Sequence, residues 1–241
     1  MIGIQYTMSQ KQFNMKLDKE LDTYSLEAVL VQIAERYPNK AAFSTSLSME
    51  DQVITHYIYS YNLPIKIFTL DTGRLFPESY AVLSSTIERY GKRIDVYFPQ
   101  SASVEKLVTE KGPLSFYHSL ENRKECCYIR KVEPLNRALE GIECWITGLR
   151  AEHSENRKSL PMVELDEARN IVKVHPLAKW TTEEIRREIS VNNIPYNVLH
   201  DRGFVSIGCQ PCTRAIQTGD DFRAGRWWWE NNDKKECGLH S

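Results

Sequence analysis

Short apolar runs that alternate with helically patterned stretches constrain this chain more than any other feature. Ala41–Ser44, Ile65–Leu70, Ile94–Phe98 and Cys144–Leu149 each read as strands, because apolar runs of this length suit strands covered on both faces. Between them, a helix is predicted from Ser25 to Tyr37, closed by Pro38, and another over Glu50–Tyr61 with Val53, Ile54, Tyr57 and Ile58 on one face. Pro77–Tyr90 reads as a helix with proline in its first turn, and Val104–Lys111 as a further one. Glu125–Leu139 is predicted helical, interrupted or kinked at Pro134. Val163–Leu165 and Ile171–Val174 are spaced to pair as a hairpin, and Thr181-Thr182-Glu183-Glu184 opens a last helix with capping-box spacing. Such alternation predicts an α/β fold with a largely parallel sheet flanked by helices.

Residues 1–24 are polar and weakly patterned and read as a loose leader. Residues 25–229 are expected to form one α/β domain, and 230–241 a flexible tail. No stretch approaches the roughly 20 apolar residues of a membrane span, and Met1–Lys19 lacks the basic-then-apolar pattern of a signal peptide. A cytoplasmic protein is therefore expected. With 31 basic and 32 acidic residues the formal net charge is -1, which gives no whole-molecule attraction to nucleic acid or to an anionic membrane. An anionic substrate would have to be held by local arginines and lysines.

In such a sheet, ligands bind beyond the carboxyl ends of the strands. One strand end supplies Ser44-Thr45-Ser46-Leu47-Ser48, hydroxyls ahead of a helix N-terminus that suit phosphate. Another supplies Leu70-Asp71-Thr72-Gly73-Arg74, where Asp71 and Arg74 could orient a ribose or an anion. Taken alone, serines and threonines before a helix are ordinarily caps. Neither GxGxxG nor GxxxxGK[ST] occurs to argue otherwise.

The six cysteines are too few for a disulfide scaffold in 241 residues, and a reducing cytosol disfavours disulfides. Cys126-Cys127 and Cys209-Gln210-Pro211-Cys212 form two pairs. Adjacent Cα atoms lie only about 3.8 Å apart, below the usual disulfide range of about 4.4–6.8 Å. A metal reading therefore gains. Four thiolates match a four-iron cluster, although spacing alone favours that only modestly over a structural zinc. Cys144 lies in an apolar run and reads as inert core. Cys237 follows the polar stretch Asn231–Lys235 and precedes His240; lysines and a histidine nearby favour thiolate, yet a lone thiol there is ordinarily incidental. Lys131, Arg150, Arg223 and Arg226 stand near these cysteines in sequence and have the chemistry to bind phosphate or sulfate oxygens. Trp227-Trp228-Trp229 more often serves packing than stacking.

Together, these pieces resemble the assimilatory sulfonucleotide reductases, in particular the iron–sulfur adenylyl-sulfate reductases. The matching segments are Phe43-Ser44-Thr45-Ser46, Leu70–Arg74, Glu125–Lys131, Thr147-Gly148-Leu149-Arg150, Gly208–Cys212 and Glu236-Cys237-Gly238-Leu239-His240. The cysteine pairs with the ECGLH segment are the specific part; the serine-rich loop alone is weak. The resemblance implies an ATP-pyrophosphatase-like fold holding an adenine nucleotide. Thr45-Ser46-Leu47-Ser48 stands where ATP-cleaving relatives have paired glycines, which argues for a sulfonucleotide instead. It further implies that Cys237 attacks the sulfur of adenylyl sulfate, expelling AMP and forming an S-sulfocysteine that thioredoxin resolves to sulfite. Ser44, Ser46, Leu70, Asp71, Arg74, Lys131, Arg150, Arg223 and Arg226 would hold the substrate, His240 would assist Cys237, and Cys126, Cys127, Cys209 and Cys212 would ligate a [4Fe-4S] cluster. A reductase of 3′-phosphoadenylyl sulfate, or one using both substrates, is the alternative. A homo-oligomer is compatible with all of this.

Overall fold

The computed structural model describes residues 10–153, 160–217 and 219–230. Each of the four buried runs becomes a strand. β1 (Ala41–Thr45) lies between β2 (Lys66–Leu70) and β4 (Cys144–Ile146), parallel to both, with Phe43 in register with Ile67 on one side and Ile146 on the other. β3 (Asp95–Tyr97) continues the sheet beyond β2, and β6 (Ile171–Val174) continues it beyond β4, again in parallel. The expected hairpin forms: β5 (Val163–Asp166) pairs antiparallel with β6 and gives the order β3-β2-β1-β4-β6-β5. The chain thus runs outward from β1 to β3 and returns to lay β4 on the opposite side of β1. Connections diverge between β1 and β4, leaving a crevice beyond their carboxyl ends.

Because successive strand residues face opposite ways, the sheet sorts its apolar residues into two cores. Phe43, Ile67, Cys144, Ile146, Val172 and Val174 pack with α2 (Leu26–Arg36), α3 (Met49–Ser60) and α8 (Thr182–Asn192). Ala42, Phe68, Trp145 and Ile171 pack on Leu135 and Ala138 of α7 (Glu133–Ala138). α4 (Pro77–Tyr90) carries its proline in the first turn and ends at left-handed Gly91, and α8 begins with the predicted Thr181/Glu184 capping box. A third, smaller core gathers Leu107 of α5 (Ser101–Lys111), Phe116, Cys126 of α6 (Leu120–Cys127), Cys209, Cys212 and Trp227. Among the described residues, no helix is long and apolar enough to cross a membrane.

Two expectations are corrected. The loose leader is, over Gln10–Leu21, a helix (α1) whose Leu17 and Leu21 are fully buried and whose Asp18 carboxylate accepts the Val163 N–H at 2.9 Å. Two leucines four residues apart share a helix face, and a polar average conceals so narrow an apolar stripe. The helix expected over Glu125–Leu139 is instead α6, then a wide π-helical turn over Tyr128–Val132, then α7. Pro134 therefore falls in the first turn of α7, where its missing N–H does no harm, and the wide turn replaces the anticipated kink.

Leu21 tests whether α1 belongs to the folded unit. Leu21→Ala is expected to destabilise the protein by about 2–5 kcal/mol, the usual range for a buried leucine, seen as a lower urea midpoint. An unchanged midpoint would show that α1 contributes nothing to the cooperative core.

Candidate active site

The crevice begins where β1 runs out. Leu47 adopts a left-handed backbone (φ 63°) although it carries a side chain and is buried, a conformation that costs about 1–3 kcal/mol and persists only under local constraint. The Thr45 hydroxyl accepts the Leu47 N–H at 3.0 Å, and the Ser46 N–H and hydroxyl both donate to the Asp51 carboxylate, the hydroxyl at 2.6 Å. The Met49 N–H, at the start of α3, is capped not by Ser48 but by Nε2 of buried His200, 3.3 Å away. The Ser44 hydroxyl accepts from the Trp145 indole at 2.8 Å. The serines are thus neither simple caps nor a free row of hydroxyls.

Asp51 is the pivot that sequence reasoning missed. It sits in the first turn of α3 and reads there as an ordinary acidic residue near a helix N-terminus, so no pattern announces it. Burial pushes its pKa up to about 7, with a further push from Glu50, and together these outweigh the hydrogen bonds from Ser46 and Ser48. Opposite it, Gly148 follows β4 so closely that a Cβ there would stand 1.9 Å from the Asp51 carboxylate. Only glycine permits that approach.

These two loops wall a cavity of about 200 Å³. Six expected residues line it: Ser44, Ser46, Leu70, Lys131, Arg223 and Arg226. Thr147, Gly148, Leu149 and Gly208 contribute backbone and small side chains, while Glu50 and Asp51 add acidic groups. Arg226 lies over the Trp227 ring at 4.8 Å and so close to Gly208 that a Cβ there would meet the guanidinium at 2.3 Å. Arg223 and Arg123 also stack on Trp227, at 5.7 and 4.5 Å. Trp227 is accordingly a buried platform for arginines, a packing role with an electrostatic consequence.

Three expected binders do not line the cavity. The Asp71 carboxylate accepts the Gly73 N–H at 2.8 Å and the Tyr80 hydroxyl at 3.1 Å, organising its own turn. Arg74 lies over Phe116 at 4.8 Å and borders a second pocket. Arg150 is 1% exposed and donates to Glu152, the Trp180 carbonyl and the Thr182 hydroxyl. Each makes local contacts that the spacing of residues could not disclose. Cys237 and His240 lie outside the described residues.

The second pocket gathers the paired cysteines. Cys126 and Cys127 end α6, while Cys209 and Cys212 bracket a single 3₁₀ turn, and all four line one space with Phe116, Arg74, Arg123, Arg130 and Lys131. Burial pushes the Cys126 thiol up and Cys212 up to about 12. Burial would raise Cys209 as well, but Lys131, the hydrogen bond to the Thr72 hydroxyl, Arg226 and Arg130 together pull it down. Three buried thiols and the half-buried Cys127, ringed by cations, suit an anionic, thiolate-ligated group. No three His, Cys, Asp or Glu side chains among the described residues form a site for a single metal ion; the thiols border a space rather than converge on a point. Arg123, almost fully buried, grips the Glu230 carboxylate at 2.7 and 3.1 Å beside this pocket. Lys131 lines both spaces.

Comparison with known proteins gives the family and agrees with the fold. The phosphoadenosine phosphosulfate reductase domain matches residues 40–215. The chain is 51% identical over 215 residues to adenosine 5′-phosphosulfate reductase of Burkholderia cepacia, covering 89% of this chain and 86% of that one. It is 50% identical over 198 residues to the enzyme of the same name from Allochromatium vinosum, covering 82% and 77%. The crystal structure of phosphoadenylyl-sulfate reductase from Candida auris, a phosphate complex, matches with a TM-score of 0.74 at 27% identity, over 87% of this chain and 98% of that one. FMN adenylyltransferase of Candida glabrata shares the fold alone, with a TM-score of 0.55 at 15% identity over 98% and 81%.

Asp51 gives a pH signature with a definite sign. Its folded pKa of about 7 lies above the ordinary 3.8, so its contribution to stability is whole below about pH 4 and is lost as pH rises to about 7 and beyond. Asp51→Asn is expected to flatten the fall in melting temperature between pH 5 and 8. A variant whose melting temperature falls as steeply as that of the unaltered protein would rule out a raised Asp51 pKa.

Proposed function

The chain belongs to the phosphoadenosine phosphosulfate reductase family, and from that premise we propose that it is a thioredoxin-dependent adenylyl-sulfate reductase of sulfate assimilation, acting in the cytoplasm. One observation carries this reading: a cavity at the β1/β4 crevice shares Lys131 with a pocket lined by four cysteines. The relatives at about half identity bear the name adenosine 5′-phosphosulfate reductase, whereas the phosphoadenylyl-sulfate reductase neighbour stands at 27%. Use of both nucleotides remains the alternative.

In this reading Ser44, Ser46 and the Thr147–Leu149 turn receive the nucleoside, and Lys131, Arg223 and Arg226 face the phosphosulfate. The Cys237 thiolate attacks the sulfur, a sulfur–sulfur bond forms, the sulfur–oxygen bond to AMP breaks, and the electron pair leaves with AMP. Cations beside the departing phosphate stabilise the charge it gains. One thiol of thioredoxin then attacks the Cys237 sulfur and displaces sulfite, forming a mixed disulfide; its second thiol breaks that bond, closes the thioredoxin disulfide and releases the Cys237 thiolate. The sulfonate sulfur is reduced by two electrons and thioredoxin is oxidised by two. His240 assists Cys237 in this scheme. Cys126, Cys127, Cys209 and Cys212 would hold a [4Fe-4S] cluster: the donors are soft, and their spread around a space suits a polynuclear group better than one zinc ion. When bound, that group would supply local electrostatics next to Lys131 and join α6 to the Cys209–Cys212 turn.

Two measurements test the proposal. Mass spectrometry after mixing with adenylyl sulfate, without thioredoxin, is expected to find a sulfonate adduct on Cys237 that Cys237→Ser lacks. An adduct elsewhere, or none on the unaltered protein, would overturn the mechanism. Protein purified without oxygen is expected to be brown, with iron and acid-labile sulfide that Cys209→Ser loses; a colourless protein holding one zinc ion would replace the cluster with a structural site.

A further inference from the structure

On the face of the sheet that carries Trp145, a line of polar groups runs from β5 and β6 to Thr147, just past the end of β4. The Thr147 hydroxyl lies 2.7 Å from Nδ1 of His175, and Nε2 of His175 lies 3.2 Å from Glu164 Oε1. Lys173 contacts the same carboxylate oxygen at 2.8 Å. His175 is fully buried, and Thr147 and Lys173 are nearly so. Such groups are costly to bury unless each bond is made.

The chain of bonds has a direction. The Leu149 N–H donates to the Thr147 hydroxyl oxygen at 3.3 Å, so the Thr147 proton is free to go to His175 Nδ1. The Nε2–H then goes to Glu164, an assignment dictated by the hydrogen-bond pattern. Lys173 supplies a second branch: its ammonium lies 5.1 Å from the centre of the Trp145 ring, and the Trp145 indole holds Ser44. Register makes both branches possible, since Glu164 is opposite Lys173 in the β5–β6 pair and Lys173 is opposite Trp145 in the β6–β4 pair. One edge carboxylate therefore anchors two lines of contact, one ending at Leu149 and the other at Ser44. Both ends line the cavity, and between them Gly148 presses on Asp51.

We propose that Glu164, His175 and Thr147 form a positioning relay that holds the Thr147–Leu149 turn against the serine loop, so that the nucleotide cavity is shaped before substrate arrives. None of the three transfers a proton in the reaction. Their role is to remove freedom from a wall that would otherwise close or splay. Glu164 and His175 lie behind the wall, so the relay acts on binding through Thr147. The inference rests on the cavity's taking an adenine nucleotide.

The test is calorimetric titration of AMP into the full chain, alongside melting curves. His175→Phe keeps an aromatic ring but none of its hydrogen bonds, and Thr147→Val keeps shape without the hydroxyl. Each is expected to weaken AMP binding by roughly ten-fold, the loss expected when a buried hydrogen bond is removed. The double variant should bind no worse than the weaker single one, because both cut the same chain. Thr147→Ser should restore most of the affinity, and partly exposed Glu164→Gln, which leaves the core filled, should weaken AMP by a smaller factor. Unchanged AMP affinity in Glu164→Gln and His175→Phe, or losses that simply multiply in the double variant, would overturn the relay even if melting temperatures fall. If His175→Phe does not fold, the comparison of Thr147→Val with Thr147→Ser and Glu164→Gln decides alone. Failure of the unaltered chain to bind AMP would overturn the nucleotide reading, and the relay's role with it.

Discussion

Parallel pairing of β1 with both β2 and β4 is the constraint on which the rest of this structure depends. A parallel neighbour cannot be reached by a tight turn, so each connection must cross a face of the sheet as a helix or long loop. The crossovers leave β1 in one direction and return beside it from the other. The carboxyl ends of β1 and β4 consequently stand together with no covering connection. The side chains that follow each strand become the walls of that crevice. Leu47 and Gly148 occupy the sharpest points of those walls, where unusual conformation and close approach are tolerated because the flanking strands are locked in register.

Electrostatics then divides the site into two compartments. The larger receives opposed charges, with Glu50 and Asp51 on one side and Lys131, Arg223 and Arg226 on another. In the smaller, arginines and a lysine surround four thiols. Burial works against the charged form of a thiol or carboxyl wherever it occurs, and it dominates at Cys126, Cys212 and Asp51. At Cys209 the nearby cations and the Thr72 hydroxyl win instead. Lys131 borders both compartments, so charge changes in one are felt in the other at short range. The arginine-stacked Trp227 keeps Arg223 and Arg226 at the cavity wall while forming the floor of the third core.

Much of the fold was legible because its signals are local. Pro77 opening α4, Thr181 and Glu184 capping α8, and the apolar runs of β1, β2 and β4 each express a preference settled within a few residues. α1 was not legible, since only Leu17 and Leu21 reveal it and they matter through contact with strands more than a hundred residues away. The wide turn at Tyr128–Val132 was hidden likewise, because a helical pattern with one proline does not say how the backbone absorbs it. Of the cavity's lining residues, Ser44, Ser46 and Leu70 were legible from their strand-end positions, and Lys131, Arg223 and Arg226 as basic residues near the cysteines in sequence. Arg150 shows what residue type leaves open: the same guanidinium chemistry serves an anion or a set of internal acceptors, and here it donates to Glu152, Trp180 and Thr182.

The sequence by itself determined the alternation of strands and helices, the polar strand ends, and two cysteine pairs, one of them adjacent residues ill-suited to a disulfide. Those properties reside in neighbouring residues, and hydrophobic periodicity and covalent geometry are enough to read them. Tertiary structure alone decided that Cys126, Cys127, Cys209 and Cys212 border one space, that Asp51 meets Gly148, and that Glu164 reaches the cavity through His175 and Thr147. Each of those meetings joins segments far apart along the chain. Only the register and crossing of the strands determine which distant side chains share a low-dielectric interior, and there burial and proximity set the chemistry.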